Sequence, residues 1–68
     1  MEKLQKGEIV AIYQKPLTGE EFEGVARMVS EYRPDEGDGL SMWEVRFLRD
    51  SYECLRTVNL ENARNKNG

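Results

Sequence analysis

The sequence predicts a small all-β domain built from one antiparallel sheet, and three observations support this. In Trp43–Phe47, large apolar and charged residues alternate with a period of two, which is typical of a strand with one buried and one solvated face. Other β-branched and aromatic runs are separated by turn formers at intervals of about eight to twelve residues. The chain has 68 residues, one cysteine and no histidine, so neither a disulfide framework nor a zinc site within one chain can replace a packed core.

Strands are predicted at residues 8–13, 25–32, 40–48 and 52–58. Pro16 ends the first strand, because proline cannot donate a hydrogen bond to a β-ladder. Residues 15–24 mix turn formers with acidic residues and are predicted to form a long loop. The acidic, glycine-rich segment 35–39 predicts a hairpin loop, and residues 49–51 predict a tight turn before the last strand.

The second strand has a less regular pattern than the others. Ala26 and Met28 are expected to face the core, and so are Val25 and Val29. Because residues on both faces of a strand cannot point inward without a break in the alternation, we predict a bulge near Arg27 or Met28.

The predicted domain covers residues 7–62, between a flexible N-terminus at 1–6 and a disordered tail at 63–68. The tail has no apolar anchor after its first residue, as is common at chain termini. The polar segment 59–62 is expected to form a single 3-10 turn that places Leu60 in the core.

This order of elements resembles the Src-homology-3-like (SH3-like) barrels, among them the Tudor and KOW domains. The residues that carry the resemblance are Gly7–Val10, Glu23-Gly24, Ala26–Met28, Trp43–Leu48 and Arg56–Val58. The resemblance covers about residues 7–61 of the chain. It implies a compact sheet of four to five strands that curls on itself, and such barrels serve many unrelated functions.

Charge and composition narrow the class of function. Thirteen acidic residues against ten basic ones give a net charge of −3. This charge disfavours binding to nucleic acid, because that binding depends on a positive field.

The sequence also predicts the compartment. The first six residues contain no apolar run that could act as a signal segment, and no run of about 18 apolar residues predicts a membrane-spanning segment. Cys54 is expected to be a small buried hydrophobe in a reducing environment. We therefore expect a protein of a bacterial or phage cytoplasm.

No catalytic, metal or cofactor site is predicted. The acids of the hairpin loop, Asp35, Glu36 and Asp38, lack the ligand spacing of a calcium loop, and we expect them to be solvated. Glu20, Glu21 and Glu23 surround Phe22 in the predicted long loop, where water would keep their carboxylates from acid–base work.

Arg27, Arg46 and Arg56 each lie in mid-strand at positions predicted to face away from the core. Two interpretations are open. The favoured one is a set of cross-strand ion pairs with acids such as Glu44 and Glu53, each contributing little to stability. The other is a stripe that binds an anionic ligand.

The aromatic residues divide between core and surface. Trp43 and Phe47 are expected in the core, whereas four others lie near predicted strand ends and form a candidate loop-rimmed binding face: Tyr13, Phe22, Tyr32 and Tyr52. We therefore expect a non-catalytic binding or accessory module that binds a protein partner or itself through this face. One alternative is a nucleic-acid-associated KOW- or Tudor-type module that uses the three arginines. A second is a small oligomeric enzyme with its site between subunits.

Overall fold

The computed structural model describes residues 3–64. Within that range the elements are β1 (Ile9–Lys15), β2 (Glu20–Arg33), β3 (Leu40–Phe47), β4 (Glu53–Asn59) and α1 (Leu60–Arg64). The strands form one sheet in the order β1-β2-β3-β4, every neighbouring pair is antiparallel, and the sheet curls into a half-barrel. The predicted all-β antiparallel class is confirmed.

The core lies on one face of the curled sheet. Trp43, Val45 and Phe47 are all buried, as the alternation in β3 predicts. The indole Nε1 of Trp43 donates a hydrogen bond to Ser41 Oγ at 3.1 Å, so the ring is buried without an unpaired polar group. The other core residues are Leu4, Val10, Ile12, Ala26, Met28, Val58 and Ala63.

The predicted long loop at 15–24 is wrong. Lys15 pairs with Glu20 in the β1–β2 ladder, which leaves a tight turn at residues 16–19. The amide of Gly19 donates to the carbonyl of Lys15 at 2.9 Å, and Gly19 has a φ of 73°. Glycine adopts this left-handed conformation without the steric cost that other residues meet, so the turn closes within a few residues.

The bulge in β2 begins at Met28, one of the two residues near which it was predicted. Met28 pairs with Val45 and Ser30 pairs with Glu44, which leaves Val29 as the extra residue. The alternation from Val25 to Met28 is therefore unbroken. Ala26 and Met28 are buried as expected, but Val25 is 41% exposed on the opposite face, and its predicted inward orientation is wrong.

The core extends beyond the predicted bounds of 7–62. Leu4 is buried on the N-terminal side, and Ala63 is buried on the C-terminal side. Residues 60–64 form a short α-helix instead of the predicted 3-10 turn, and Leu60 packs partly buried against the core. The remainder of the predicted flexible segments, residues 1–2 and 65–68, lies outside the described residues.

Candidate functional site

The sheet face turned away from the core carries a group of neighbouring apolar residues. Tyr13 lies directly opposite Phe22, and Ala11 lies opposite Val25. The amide of Leu48 donates to the carbonyl of Val25 at 3.0 Å, which places Leu48 next to Val25 at the end of β3. We call this group the outer patch: Ile9, Ala11, Tyr13, Phe22, Val25 and Leu48.

The outer patch is strongly exposed for an apolar surface. Phe22 is 59% exposed, Leu48 is 48% exposed and Ile9 is 37% exposed. The rings of Tyr13 and Phe22 meet edge to face, with centroids 5.6 Å apart and an interplanar angle of 62°. This geometry is favourable for an aromatic pair, so the two rings support one another on the surface.

The structure does not bring the four predicted surface aromatics into one face. Tyr32 is exposed but lies beyond the bulge at Val29, at the other end of β2 from Phe22. Tyr52 is exposed beside Phe47, whose amide donates to its carbonyl at 2.9 Å, so it belongs to the turn that joins β3 to β4. Of the predicted set, Tyr13 and Phe22 lie together.

The predicted arginine stripe is also divided. Arg27 and Arg46 are direct neighbours across β2 and β3, and both are exposed on the outer face. Arg46 Nε donates to Glu53 Oε2 at 2.7 Å, which is a cross-strand ion pair of the predicted kind. Arg27 donates to the backbone carbonyl of Gly7 at 3.2 Å.

Arg56 lies on the core-facing side of β4, opposite Trp43, and its predicted outward orientation is wrong. Its guanidinium is bidentate to Glu23, with Nε 2.8 Å from Oε1 and Nη2 2.5 Å from Oε2. The same group lies 5.9 Å from the centroid of the Phe47 ring. The Arg56–Glu23 ion pair therefore lies at the edge of the core. Both charges are partly removed from water there, and each is stabilised by the other.

The ion pair changes the titration of both partners. The hydrogen bond from Arg56 lowers the pKa of Glu23, against an opposing effect of burial, with smaller contributions from the charges of Arg56 and Arg49. The hydrogen bond to Glu23 likewise raises the pKa of Arg56. Glu23 is therefore ionised at neutral pH, and its lowered pKa makes its carboxylate a weaker base than an ordinary glutamate.

The half-barrel is closed by side chains where the edge strands β1 and β4 face one another. Within residues 3–64, the polar clasps that close the half-barrel at this seam include Glu23 of β2 with Arg56, Asn62 with the carbonyls of Pro16 and Leu17, and Arg64 with Glu8 and the carbonyl of Lys3. The Asn62 hydrogen bonds are 2.8 and 3.1 Å long. Side-chain bonds thus join β4 to β2, and α1 to the turn after β1 and to the segment before it.

A groove of about 310 Å³ runs along this seam, lined by residues that include Tyr13, Glu23, Leu55 and Arg56. A smaller concavity of about 30 Å³ lies beside Trp43 and Ser41, which is room for a water molecule. The charged groups of the larger groove, Glu23 and Arg56, already satisfy one another, so it offers an incoming ligand little unmatched charge.

The acidic residues do not converge on one site. Asp35 accepts hydrogen bonds from the amides of Gly37 and Gly39 at 2.7 and 3.0 Å, and the bond from Gly37 is the main cause of its lowered pKa. Glu21 pairs with Lys15, away from Glu23. Among the described residues, no group of three or more acids, cysteines or histidines is placed to hold a metal ion. Cys54 is half-buried.

Sequence analysis missed four members of the outer patch, which are Ile9, Ala11, Val25 and Leu48, and it also missed the pairing of Glu23 with Arg56. Strict alternation from Ala26 and Met28 would have placed Val25 on the outer face. Glu23 gave no local signal, since its partner Arg56 comes from a strand that is not its neighbour in the sheet.

The part of the chain that the structure describes contains no helix long and apolar enough to cross a membrane. No family model, curated protein or solved structure matches the chain.

Proposed function

We propose that this chain is a non-catalytic protein-binding module with the layout of an SH3-like barrel, and that the outer patch contacts the partner. The curled four-stranded antiparallel sheet supports the barrel layout. The free Cys54 supports a reducing, cytoplasmic setting.

The observation that carries the proposal is the continuity of the outer patch. Its members follow one another through the register of β1, β2 and the end of β3, so their side chains form one apolar surface. Contiguous exposed apolar surface is uncommon on proteins that bind nothing. Aromatic side chains such as Phe22 and Tyr13 are enriched at the cores of interfaces.

The ion pairs made by two of the three arginines favour a protein partner over a nucleic acid. Arg56 is engaged by Glu23, and Arg46 is engaged by Glu53. A phosphate backbone would have to compete with these carboxylates on a chain whose net charge is −3.

Selection from a phage-displayed random peptide library on the immobilised full chain tests the proposal. Enriched peptides are labelled with fluorescein, and their Kd is measured by fluorescence polarisation. Phe22→Ser is expected to weaken binding by about tenfold or more, as for an aromatic residue at the centre of an interface. Tyr32→Ser is the matched control, because Tyr32 is a similarly exposed ring on the same strand.

Equal losses in the Phe22 and Tyr32 variants would show that the outer patch is not the binding surface. Failure to enrich any peptide above the uncoated support would count against the binding module itself.

A further inference from the structure

We propose that the partner segment carries a carboxylate next to its apolar residues, and that this carboxylate binds at Arg27, the cross-strand neighbour of Arg46. This inference rests on the proposed function and specifies the chemistry of the partner. It follows from a second surface feature that adjoins the outer patch, which we call the basic groove.

The basic groove has a volume of about 250 Å³ and is lined by Lys6, Gly7, Arg27, Met28, Val29 and Arg46. Ile9 of the outer patch lies directly opposite Arg27, and Val25 lies two positions before Arg27 on the same face of β2. A peptide on the outer patch would therefore have the basic groove within reach of a neighbouring side chain.

The positions of the two guanidinium groups reduce the stability of the sheet. Arg27 and Arg46 are direct cross-strand partners, and like charges in that position destabilise an antiparallel pair. Glu53 balances the charge of Arg46. Within residues 3–64, the hydrogen-bond partner of Arg27 is the neutral carbonyl of Gly7. A carboxylate from outside would relieve the repulsion that remains.

The lining of the groove would strengthen that contact. Val29 is half-buried and contributes apolar surface to the groove beside the cationic side chains. A carboxylate held there would lose part of its contact with water, and charge-assisted hydrogen bonds are stronger in such surroundings. Arginine is also suited to carboxylates, because its planar fork can donate two parallel hydrogen bonds.

A peptide carboxylate fits this surface better than a nucleic acid. The outer face also carries Glu44 and Glu53 beside Arg46, and both would repel a run of phosphates. A single acidic side chain needs only one cationic position. The apolar residues that flank it in the peptide would pack on the adjoining outer patch.

The test uses the peptides enriched on the wild-type chain, each resynthesised with its acidic residue changed to the amide or to lysine. On the wild type, the amide change is expected to weaken binding by about tenfold. On Arg27→Glu the parent peptide should lose a similar factor, and the lysine peptide should recover it. On Arg27→Gln the acid and amide peptides should bind alike.

Arg33→Glu is the matched control, because it makes the same charge change at an exposed arginine on the far end of β2. Thermal unfolding of each variant checks that it is folded. Arg27→Gln removes the charge without adding an acid, so the test still stands if Arg27→Glu does not fold.

The outcomes separate this inference from the proposed function. Peptides that are sensitive to Phe22→Ser but indifferent to Arg27 and to their own acidic residue would overturn the inference alone. Peptides sensitive to neither position, or equal losses in the Arg27 and Arg33 variants, would also overturn it. Binding of a labelled oligothymidylate at low salt that Arg27→Glu abolishes would overturn it in favour of nucleic acid.

Discussion

Arg56 lies over the ring of Phe47 on the core-facing side of β4, and its charge is matched by Glu23. A charged group at the rim of a core is tolerated when its hydrogen bonds are satisfied. Removal of Glu23 would leave the guanidinium beside an apolar ring without its carboxylate. The pair therefore matters more to stability than an exposed surface salt bridge.

Glu23→Gln is expected to lower the free energy of unfolding by about 1–2 kcal/mol at neutral pH, since a charge-assisted hydrogen bond is lost. The pKa of Glu23 in the folded chain is below its ordinary value of 4.5. The unfolded state then binds the proton first, so the stabilisation is complete above that value and is lost as the pH falls through the lowered pKa.

Urea unfolding at steps from neutral to acidic pH measures this effect. The difference between wild type and Glu23→Gln should narrow as the pH falls below 4.5, the ordinary pKa of the group. Glu36→Gln, at the exposed hairpin tip, should remain close to the wild type throughout. A difference between wild type and Glu23→Gln that does not change with pH would contradict the role assigned to the carboxylate.

At the scale of the element, β2 depends on Gly24 to pass close to β3. A Cβ added at Gly24 would lie 3.1 Å from Cδ1 of Phe47 and 3.3 Å from its Cε1. Those distances are too short for ordinary packing, so the ring would have to move. The long second strand thus curls over Phe47 because a residue without a side chain stands at the contact.

Gly24→Ala is expected to destabilise the chain by about 1–3 kcal/mol, the range for overpacking a core. Part of this cost comes from the backbone, since Gly24 has a φ of 158°. Repeating the substitution in a Phe47→Leu background isolates the contact, because the ring carbons that it meets are then absent. Chemical denaturation of the four chains gives the coupling. An equal cost in both backgrounds would assign the whole effect to the backbone.

At the scale of the whole molecule, the polar clasps hold the two edges of the sheet together. Edge strands present unpaired backbone groups. Here side chains of α1 reach the turn after β1 and Glu8 just before that strand, and Arg56 of β4 reaches Glu23 of β2. The turn at 16–19 should therefore depend on α1 for its order, although α1 follows it by more than forty residues.

Asn62→Ala is expected to increase hydrogen exchange at the 16–19 turn and at the end of β1, because the carbonyls of Pro16 and Leu17 lose their donor. Exchange in β2 and β3 should change little, since local opening there is opposed by the buried core. Hydrogen exchange followed by NMR measures both regions. Glu61→Ala, an exposed position on the same helix, is the control. Uniformly faster exchange would mean that the clasp stabilises the whole fold and not the seam.

Much of the fold follows from local patterns, and the candidate site follows from them only in part. The alternation around Trp43 and the hairpin signal at 35–39 predicted β3 and its partners, because both depend on neighbours in sequence. Phe22 and Tyr13 were also identified as surface residues. The outer patch as a unit was not, because the tight turn at 16–19 pairs them and the expected long loop would have separated them.

The sequence alone determined the strand class, the buried face of β3 and the absence of histidine or a disulfide framework, since these depend on residue identity and on a period of two. Tertiary structure decided which charges are matched and which apolar residues share a surface. The register of β4 places Arg56 opposite the buried Trp43, and Glu23, far away in sequence, matches its charge. Arg27 lies beside Arg46 because β2 and β3 pair in that register. Such contacts depend on how a curled sheet brings distant strands together, and no local pattern carries that information.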